Sequence, residues 1–146
     1  MWVTVLPVEL RGLLLDYAGV LDDRGRAGAP PLLEVAHHAR RSGISTAVVS
    51  NASGLPDPRI ADLFDTVVLS GAVAVAKPSR EIYLLTARRL GLEPGQCVFV
   101  DDLQRNVVGA VDAGMVGVHH RGVDSTIAEL TVLFDLQLPP DLVVRG

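Results

Sequence analysis

The sequence contains little cysteine, little lysine and no long apolar run, and each shortage excludes a class of protein. With one cysteine, Cys97, the chain cannot form an internal disulfide, so we expect a reducing compartment such as the cytoplasm. No apolar run approaches the ~20 residues that a membrane-spanning helix needs. The first ten residues lack a basic stretch followed by an apolar one, so no secretory signal is expected. Among 13 lysines and arginines there is a single lysine, Lys77.

What is present fits one folded domain. Hydrophobic residues make up 49% of the 146 residues and charged residues 21%, which excludes wholesale disorder. The net charge of −4 argues against a nucleic-acid-binding surface. Because no repeat, low-complexity tract or linker divides the chain, we expect a single domain over residues 1–146.

Short apolar runs alternate with longer helical segments along the chain. The runs are rich in Val, Leu and Ile, as buried strands are, and they cover residues 12–15, 44–49, 66–69, 97–100 and 116–119. Helices are predicted over residues 31–42, 57–64, 78–90, 104–113 and 125–133, with a tail over 135–146 that either packs or frays. This order predicts a three-layer α/β fold, with about five parallel strands and helices on both faces.

Polar side chains follow three of the predicted strands, where ligands bind in open parallel sheets. Asp16 is a candidate nucleophile or metal ligand, or else a turn cap. Ser50 and Asn51 offer a hydroxyl and an amide to an oxyanion, or form a polar turn. The adjacent carboxylates of Asp101 and Asp102 suit Mg²⁺; we expect Asp101 to be the ligand and Asp102 to orient it or cap the next helix.

Lys77 immediately precedes Pro78, which is predicted to open a helix. The helix dipole disfavours a cation there, whereas helix N-termini attract anions. The lysine is either exposed to water or placed to meet a phosphate-like group or a carboxylate.

The four histidines and one further acidic pair give weaker signals. We interpret His37, His38, His119 and His120 as structural or surface residues. The acidic pair Asp22-Asp23, with the arginines that follow, is typical of a solvated loop.

Four segments together resemble the haloacid dehalogenase-like (HAD) hydrolase superfamily. They are LLLDYAGVL, VVSNAS, AKPSREIY and CVFVDDLQRNVVGAVDAGM, at residues 13–21, 48–53, 76–83 and 97–115. They lie in a region of about residues 12–120, and their order and spacing make the signal specific. The resemblance implies a Rossmann-like sheet, Mg²⁺ and an aspartyl-enzyme intermediate.

The resemblance also implies a role for each motif residue. Asp16 would be the nucleophile and a Mg²⁺ ligand, and Ala18 would add its backbone carbonyl. Ser50 would bind the phosphoryl group through its hydroxyl, with Asn51 helping to place it. The resemblance makes Lys77 the group that neutralises the phosphoryl oxygens, and makes Asp101 a Mg²⁺ ligand supported by Asp102.

The sequence departs from the family pattern at Ala18. In the family's phosphatases this position is an Asp that protonates the leaving group and then activates water, worth about 10²–10⁴-fold in rate. Family members that act on phosphonates have Ala there but need a second lysine from a cap domain, and Lys77 is already assigned. The halide-cleaving members carry a different pattern after the nucleophile.

A cap domain is also missing from the sequence. Asp16 to Ser50 spans 34 positions and Ser50 to Lys77 spans 27, too few for a separate domain of ~50 residues or more. We therefore expect an open site that takes a phosphorylated small molecule or macromolecule, or that a second copy of the chain closes. Two functions remain: a capless Mg²⁺-dependent phosphatase restricted to good leaving groups, or an inactive binding module.

Overall fold

A computed structural model describes residues 9–25 and 30–143. Within these ranges five parallel strands form one sheet in the order β3-β2-β1-β4-β5. The strands are β1 Gly12–Leu15, β2 Ser45–Ser50, β3 Thr66–Leu69, β4 Cys97–Asp101 and β5 Val116–His119. The helices are α1 Pro31–Arg41, α2 Ser70–Val73, α3 Arg80–Arg89, α4 Gln104–Asp112 and α5 Val123–Phe134. The predicted α/β class is confirmed.

Helices cover both faces of the sheet because side chains alternate along each strand. Leu13 and Leu15 of β1 pack into one apolar cluster with residues of α1 and α5. Leu14 lies between them in sequence and packs into a second cluster with residues of α3 and α4. Two buried layers on a central strand explain why the strands read as continuous apolar runs rather than as alternating patterns.

Several element boundaries differ from the sequence prediction by one or two residues. Ser50 is the last residue of β2 and Asp101 is the last residue of β4, so both residues end a strand rather than follow it. Helix α3 begins at Arg80 rather than at Pro78. Segment 57–64 holds a 3₁₀ turn, Pro58–Leu63, whose first turn is capped by the Asp57 side chain.

The chain after α5 packs against the body of the protein as far as the structure describes it. Leu136 and Leu142 are buried in the cluster on the α1 and α5 face, so this part of the predicted tail is packed rather than frayed. Residues 144–146 lie outside the described residues. Among residues 9–25 and 30–143, the structure contains no helix with the length and apolar character to cross a membrane.

The strand order places the candidate residues beside one another. Strand β1 lies between β2 and β4, and the Asp16 amide donates to the Val100 carbonyl at 3.0 Å. The carboxyl ends of β1, β2 and β4 therefore meet at one edge of the sheet. On one side of β1 the chain adds β2 and β3, and on the other side it adds β4 and β5. Such a switch point is where open parallel sheets bind ligands.

Candidate active site

Lys77 lies at the centre of the site. Its Nζ is 2.8 Å from Oδ1 of Asp16 and 2.9 Å from Oδ2 of Asp101. The ammonium also lies 5.5 Å from the ring centroid of Phe99, within the range of a cation–π contact. The lysine is only 5% exposed, so the structure brings the sole lysine of the chain to two carboxylates in a desolvated place rather than to water.

Asn51 holds the backbone of Lys77. Its side-chain Oδ1 accepts a hydrogen bond from the Lys77 amide at 2.8 Å, and its Nδ2 donates to the Lys77 carbonyl at 3.0 Å. This paired contact ties the segment before α3 to the end of β2. The amide of Asn51 is therefore engaged with protein backbone, and its contact with a phosphoryl group stays a prediction.

Asp101 is fully buried and its two oxygens are both engaged. Oδ2 accepts from Lys77 and from Nδ2 of Asn106 at 3.1 Å. Oδ1 accepts from the amide of Leu103, just before α4, at 2.9 Å. The structure corrects the expectation that Asp102 caps this helix, because no side chain caps α4; Asp101, the last residue of β4, accepts instead from the amide of Leu103, just before the helix begins.

Asp102 is half-buried and lines the cleft beside Asp16. Burial, and the negative charge of Asp101 next to it, raise the pKa of the Asp102 carboxyl. A carboxylate in this position gains from any cation that reaches it. Its contribution as a metal ligand, like that of Asp101, remains a prediction from the sequence.

Asp16 is held in place by two donors. Its Oδ1 accepts from the Tyr17 amide at 2.9 Å as well as from Lys77. Burial raises the pKa of Asp16 to about 6, and the attraction of Lys77 only partly opposes that rise. The cost of burial at this carboxyl therefore outweighs the attraction of the one ammonium.

The acidic cluster fits a divalent cation. One oxygen from each of Asp16, Asp101 and Asp102 lies within 4.8 Å of the others. Three carboxylates and one ammonium leave two negative charges, and Oδ1 of Asn106 is a buried acceptor with no partner among the described residues. Hard oxygen donors with uncompensated charge are the ligands that Mg²⁺ prefers.

The loop after β1 passes close to Asp102. Gly19 has φ +80°, a left-handed conformation that favours glycine, and a Cβ at Gly19 would overlap the Asp102 carboxylate. The Gly19 amide donates to Oδ1 of Asp22 at 2.7 Å. Ala18, beside it, has extended backbone and presents only a methyl group to the cleft. The proposed ligation by its carbonyl stays a prediction.

A cleft of about 430 Å³ opens above these residues. It is lined by the motif residues together with three residues of the segment that begins α4. The lining residues are Asp16, Ala18, Gly19, Ser50, Asn51, Ala52, Lys77, Asp102, Leu103, Arg105 and Asn106. The Ser50 hydroxyl accepts from the Ala52 amide at 3.3 Å, so its own hydrogen remains to be donated. All seven residues singled out from the sequence are therefore in or around one site.

Two residues of α4 were missed by the sequence analysis. The sequence predicts only that Arg105 and Asn106 belong to a helix, yet both line the cleft. Asn106 is buried although it is an amide in the first turn of an amphipathic helix, and this polar residue on an apolar face was the available signal. Nothing in the sequence pattern distinguished Arg105 from the other exposed arginines.

Asp23 and His120 also correct the sequence analysis. The sequence predicts a solvated loop at Asp23, but Oδ2 of Asp23 lies 2.8 Å from Nε2 of the buried His120. Nδ1 of His120 lies 2.7 Å from the Thr126 hydroxyl in α5. The structural interpretation of His120 agrees with these contacts, whereas the partnership spans 97 residues and has no local signature.

Comparisons with known proteins identify the family. A model of the haloacid dehalogenase-like hydrolase family matches residues 9–114. Bifunctional epoxide hydrolase 2 of Rattus norvegicus is 30% identical over 120 residues, which cover 75% of this chain and 22% of that protein. Hexitol phosphatase A of Escherichia coli is 29% identical over 111 residues, which cover 68% of this chain and 49% of that protein. The chain spans between about a tenth and a half of the length of such curated relatives.

Solved structures share the fold. An uncharacterized protein from Corynebacterium glutamicum superposes with a TM-score of 0.77 at 35% identity, covering 89% of this chain and 98% of that one. A HAD family enzyme from Bacteroides thetaiotaomicron, solved in complex with magnesium and inorganic phosphate, gives a TM-score of 0.63 at 15% identity, covering 77% and 95%. At that identity the second likeness shows the fold alone.

Proposed function

The chain belongs to the haloacid dehalogenase-like hydrolase family, and we propose from this premise that it is a Mg²⁺-dependent phosphatase for substrates with good leaving groups. Acyl and aryl phosphates are the substrate class. The observation that carries the proposal is the buried contact of Lys77 with Asp16 and Asp101. A carboxylate at the end of a strand, oriented by an ammonium and facing a cleft, is arranged for attack on a phosphorus atom.

Asp16 is the nucleophile in this proposal. Both of its donors use Oδ1, which leaves Oδ2 to form a bond to phosphorus as the bond from phosphorus to the leaving oxygen breaks. Water then attacks the aspartyl phosphate, releasing inorganic phosphate and restoring the carboxylate.

Lys77 and Ser50 bind the group that is transferred. The ammonium of Lys77 offsets negative charge on the phosphoryl oxygens in a site where water screens little, and the Ser50 hydroxyl donates to one of them. Asp16, Asp101 and Asp102, with the carbonyl of Ala18, would hold Mg²⁺. When bound, the metal ion supplies further charge neutralisation for the phosphoryl oxygens.

Ala18 restricts the substrate. Its methyl group can neither protonate a departing alkoxide nor take a proton from water, and a positioned acid–base group is worth about 10²–10⁴-fold. A carboxylate or phenolate leaves without protonation, so acyl and aryl phosphates lose the least from this replacement.

The experiment compares Mg²⁺-dependent hydrolysis of an acyl phosphate, an aryl phosphate and an alkyl phosphate by four forms of the protein. Asp16→Asn should abolish all turnover. Ala18→Asp should raise turnover of the alkyl phosphate by about 10²–10⁴-fold, and Ala18→Asn, of the same size without the acid, should not. Turnover that survives Asp16→Asn, or an Ala18→Asp variant that folds but gains nothing, would contradict the proposal.

A binding module is the second candidate, and Ala18 is the observation that favours it. In that case the cleft binds a phosphorylated partner, and the residues described here keep the charge of the site without supporting turnover. Binding of inorganic phosphate in the presence of Mg²⁺, with no hydrolysis of any ester by the parent protein or by Ala18→Asp, would support the module.

A further inference from the structure

Arg105 is a cation at the open end of the cleft. It lies in the first turn of α4 and lines the cleft together with Asp16, Lys77 and Asp102. Unlike Lys77, it is exposed. The cleft therefore has one cation in its desolvated interior and another where a bound molecule would extend toward solvent.

The guanidinium of Arg105 is not engaged by the carboxylates of the site. Other exposed arginines pair with acidic side chains, as Arg40 does with Asp65 and Arg59 with Asp57. Among the described ranges 9–25 and 30–143, no ion pair within 4.0 Å involves Arg105, although Asp16 and Asp102 line the same cleft. Its five donors are available to a ligand.

The backbone beneath Arg105 is firmly positioned relative to the nucleophile. Asp101 accepts hydrogen bonds from the Leu103 amide and from the Asn106 side chain, on either side of Arg105. The Tyr83 hydroxyl donates to the Asn106 carbonyl at 2.6 Å. The start of α4 is thus tied by hydrogen bonds to the carboxylate that also contacts Lys77, and these bonds position the base of the Arg105 side chain relative to the site.

The direction in which the leaving group departs indicates which part of the substrate Arg105 would contact. Asp16 and Lys77 close the interior end of the cleft, and in-line transfer places the leaving group opposite the attacking oxygen. The leaving group therefore points toward the open end, where Arg105 stands. We propose that Arg105 binds a second anionic group, carried by the leaving group of the substrate, and so selects acyl or aryl phosphates that bear an additional carboxylate or phosphate.

This inference rests on the proposed function for the direction of the substrate. A guanidinium recognises carboxylate and phosphate through paired N–H···O bonds, so the shared chemistry is a planar or tetrahedral oxyanion. The reacting phosphoryl group has Lys77 and Ser50 as its own partners, which leaves Arg105 for the distal anion.

A matched pair of substrates tests the inference. They are para-carboxymethyl-phenyl phosphate and para-carbamoylmethyl-phenyl phosphate, in which an uncharged amide replaces the distal carboxylate. Arg105→Ala should lower the ratio of kcat/KM for the acid to kcat/KM for the amide by roughly 10- to 100-fold, the usual effect of losing a hydrogen bond to a charged group. Arg105→Lys should recover only part of the ratio, since lysine lacks the paired geometry.

Arg88→Ala is the matched control, because Arg88 is an exposed helical arginine that does not line the cleft. It should leave the ratio unchanged. A ratio that stays constant in Arg105→Ala, or that falls equally in Arg88→Ala, would overturn the inference.

Binding of unreactive analogues separates this inference from the proposed function. Calorimetry with para-carboxymethyl-benzylphosphonate, its amide and para-xylylene bisphosphonate needs no turnover. Preference for a charged analogue that disappears in Arg105→Ala supports the inference even if no ester is hydrolysed; equal binding of all three by the parent protein rejects it even if hydrolysis occurs. Preference for the carboxylate over the bisphosphonate, or the reverse, identifies which oxyanion is recognised.

Discussion

The two ends of the cleft are built from different kinds of side chain. At the interior end, Lys77, Asp16 and Asp101 are buried, and Nζ of Lys77 lies 2.8 Å from an oxygen of Asp16 and 2.9 Å from an oxygen of Asp101. At the open end, Ala18 contributes a methyl group and Arg105 an exposed guanidinium without an acidic partner among the described residues. The contrast separates two tasks. At the interior end, paired charges hold the side chains in one arrangement around the transferred group. At the open end, the side chains can differ according to which leaving group is bound.

The largest effect should come from removing the cation of the interior end, whereas removing the cation of the open end should change stability very little. Lys77→Met leaves two buried carboxylates without their counter-ion, so we expect the free energy of unfolding to fall by about 3–5 kcal/mol. Arg105→Met removes a charge that water already solvates and should change it by at most about 0.5 kcal/mol. Urea unfolding of both variants without added metal makes the comparison, and similar losses in the two would show that the ends do not differ.

Asp16→Asn should stabilise the metal-free protein at neutral pH. Because burial raises the pKa of Asp16 from 3.8 to about 6, ionisation costs more in the folded than in the unfolded chain. The free energy of unfolding should therefore decrease as pH rises from about 4 to about 6 and stay reduced above that. The Asn variant lacks this decrease and should exceed the parent by about 1–3 kcal/mol at pH 7.

Unfolding with a chelator present measures this effect across the pH range. Asp62→Asn, at an exposed carboxyl away from the cleft, is the matched control and should give a pH profile parallel to that of the parent. A parent profile that rises between pH 4 and pH 6, or an Asp16→Asn variant less stable than the parent at pH 7, would contradict the expectation.

Asn51→Ala tests whether the end of β2 holds Lys77. It removes two hydrogen bonds to the Lys77 backbone, and we expect a loss of about 1–2 kcal/mol. Asn51→Asp keeps the acceptor for the Lys77 amide but turns an oxygen toward the Lys77 carbonyl, so it should not restore stability. Thermal unfolding distinguishes these outcomes; an Asp variant as stable as the parent would mean that the amide does not hold the backbone.

A small effect should come from Asp23→Asn, at an acidic side chain that does not line the cleft. The Gly25 amide and then the His120 side chain lower the pKa of Asp23, so its stabilisation is present above the unfolded pKa of about 3.9 and is lost as pH falls through the lower folded value. The variant should be less stable than the parent by at most about 1 kcal/mol at pH 6. The free energies of unfolding of the parent and of Asp23→Asn should become equal at low pH, and a difference that persists there would argue against this pairing.

The fold was predictable to a large extent because its signals are local. The runs at residues 12–15, 66–69 and 116–119 match the observed strands residue for residue. Short continuous apolar runs bounded by polar residues are typical of strands in a parallel sheet covered by helices on both faces. Strands β2 and β4 extend one residue further than predicted, to Ser50 and Asp101, because a polar side chain ends the apolar pattern but not the strand. Helix α3 begins at Arg80, two residues after the proline that was expected to open it.

The sequence pointed to seven residues that the structure brings to one edge of the sheet, but it did not point to Arg105 and Asn106, which line the same cleft, or to the contacts that each side chain makes. The sequence predicts Asp101 as the metal ligand and Asp102 as the residue that orients it or caps the next helix; the structure adds that Asp101 is buried against Lys77 and that Asp102 lines the cleft. Asn51 was predicted to meet a ligand, whereas its amide holds the Lys77 backbone. These differences depend on side-chain direction and burial, which neighbouring elements determine.

By itself, the sequence determined the alternation of elements, the residues at the strand ends, the absence of an acid at position 18 and the single lysine. These are properties of residue type and spacing, so no tertiary contact is needed to read them. Only the tertiary structure decided which carboxylates the lysine meets, that Arg105 reaches the same cleft, and that His120 meets Asp23. Those contacts join residues far apart in the chain, and they exist because parallel strands gather at one edge of the sheet.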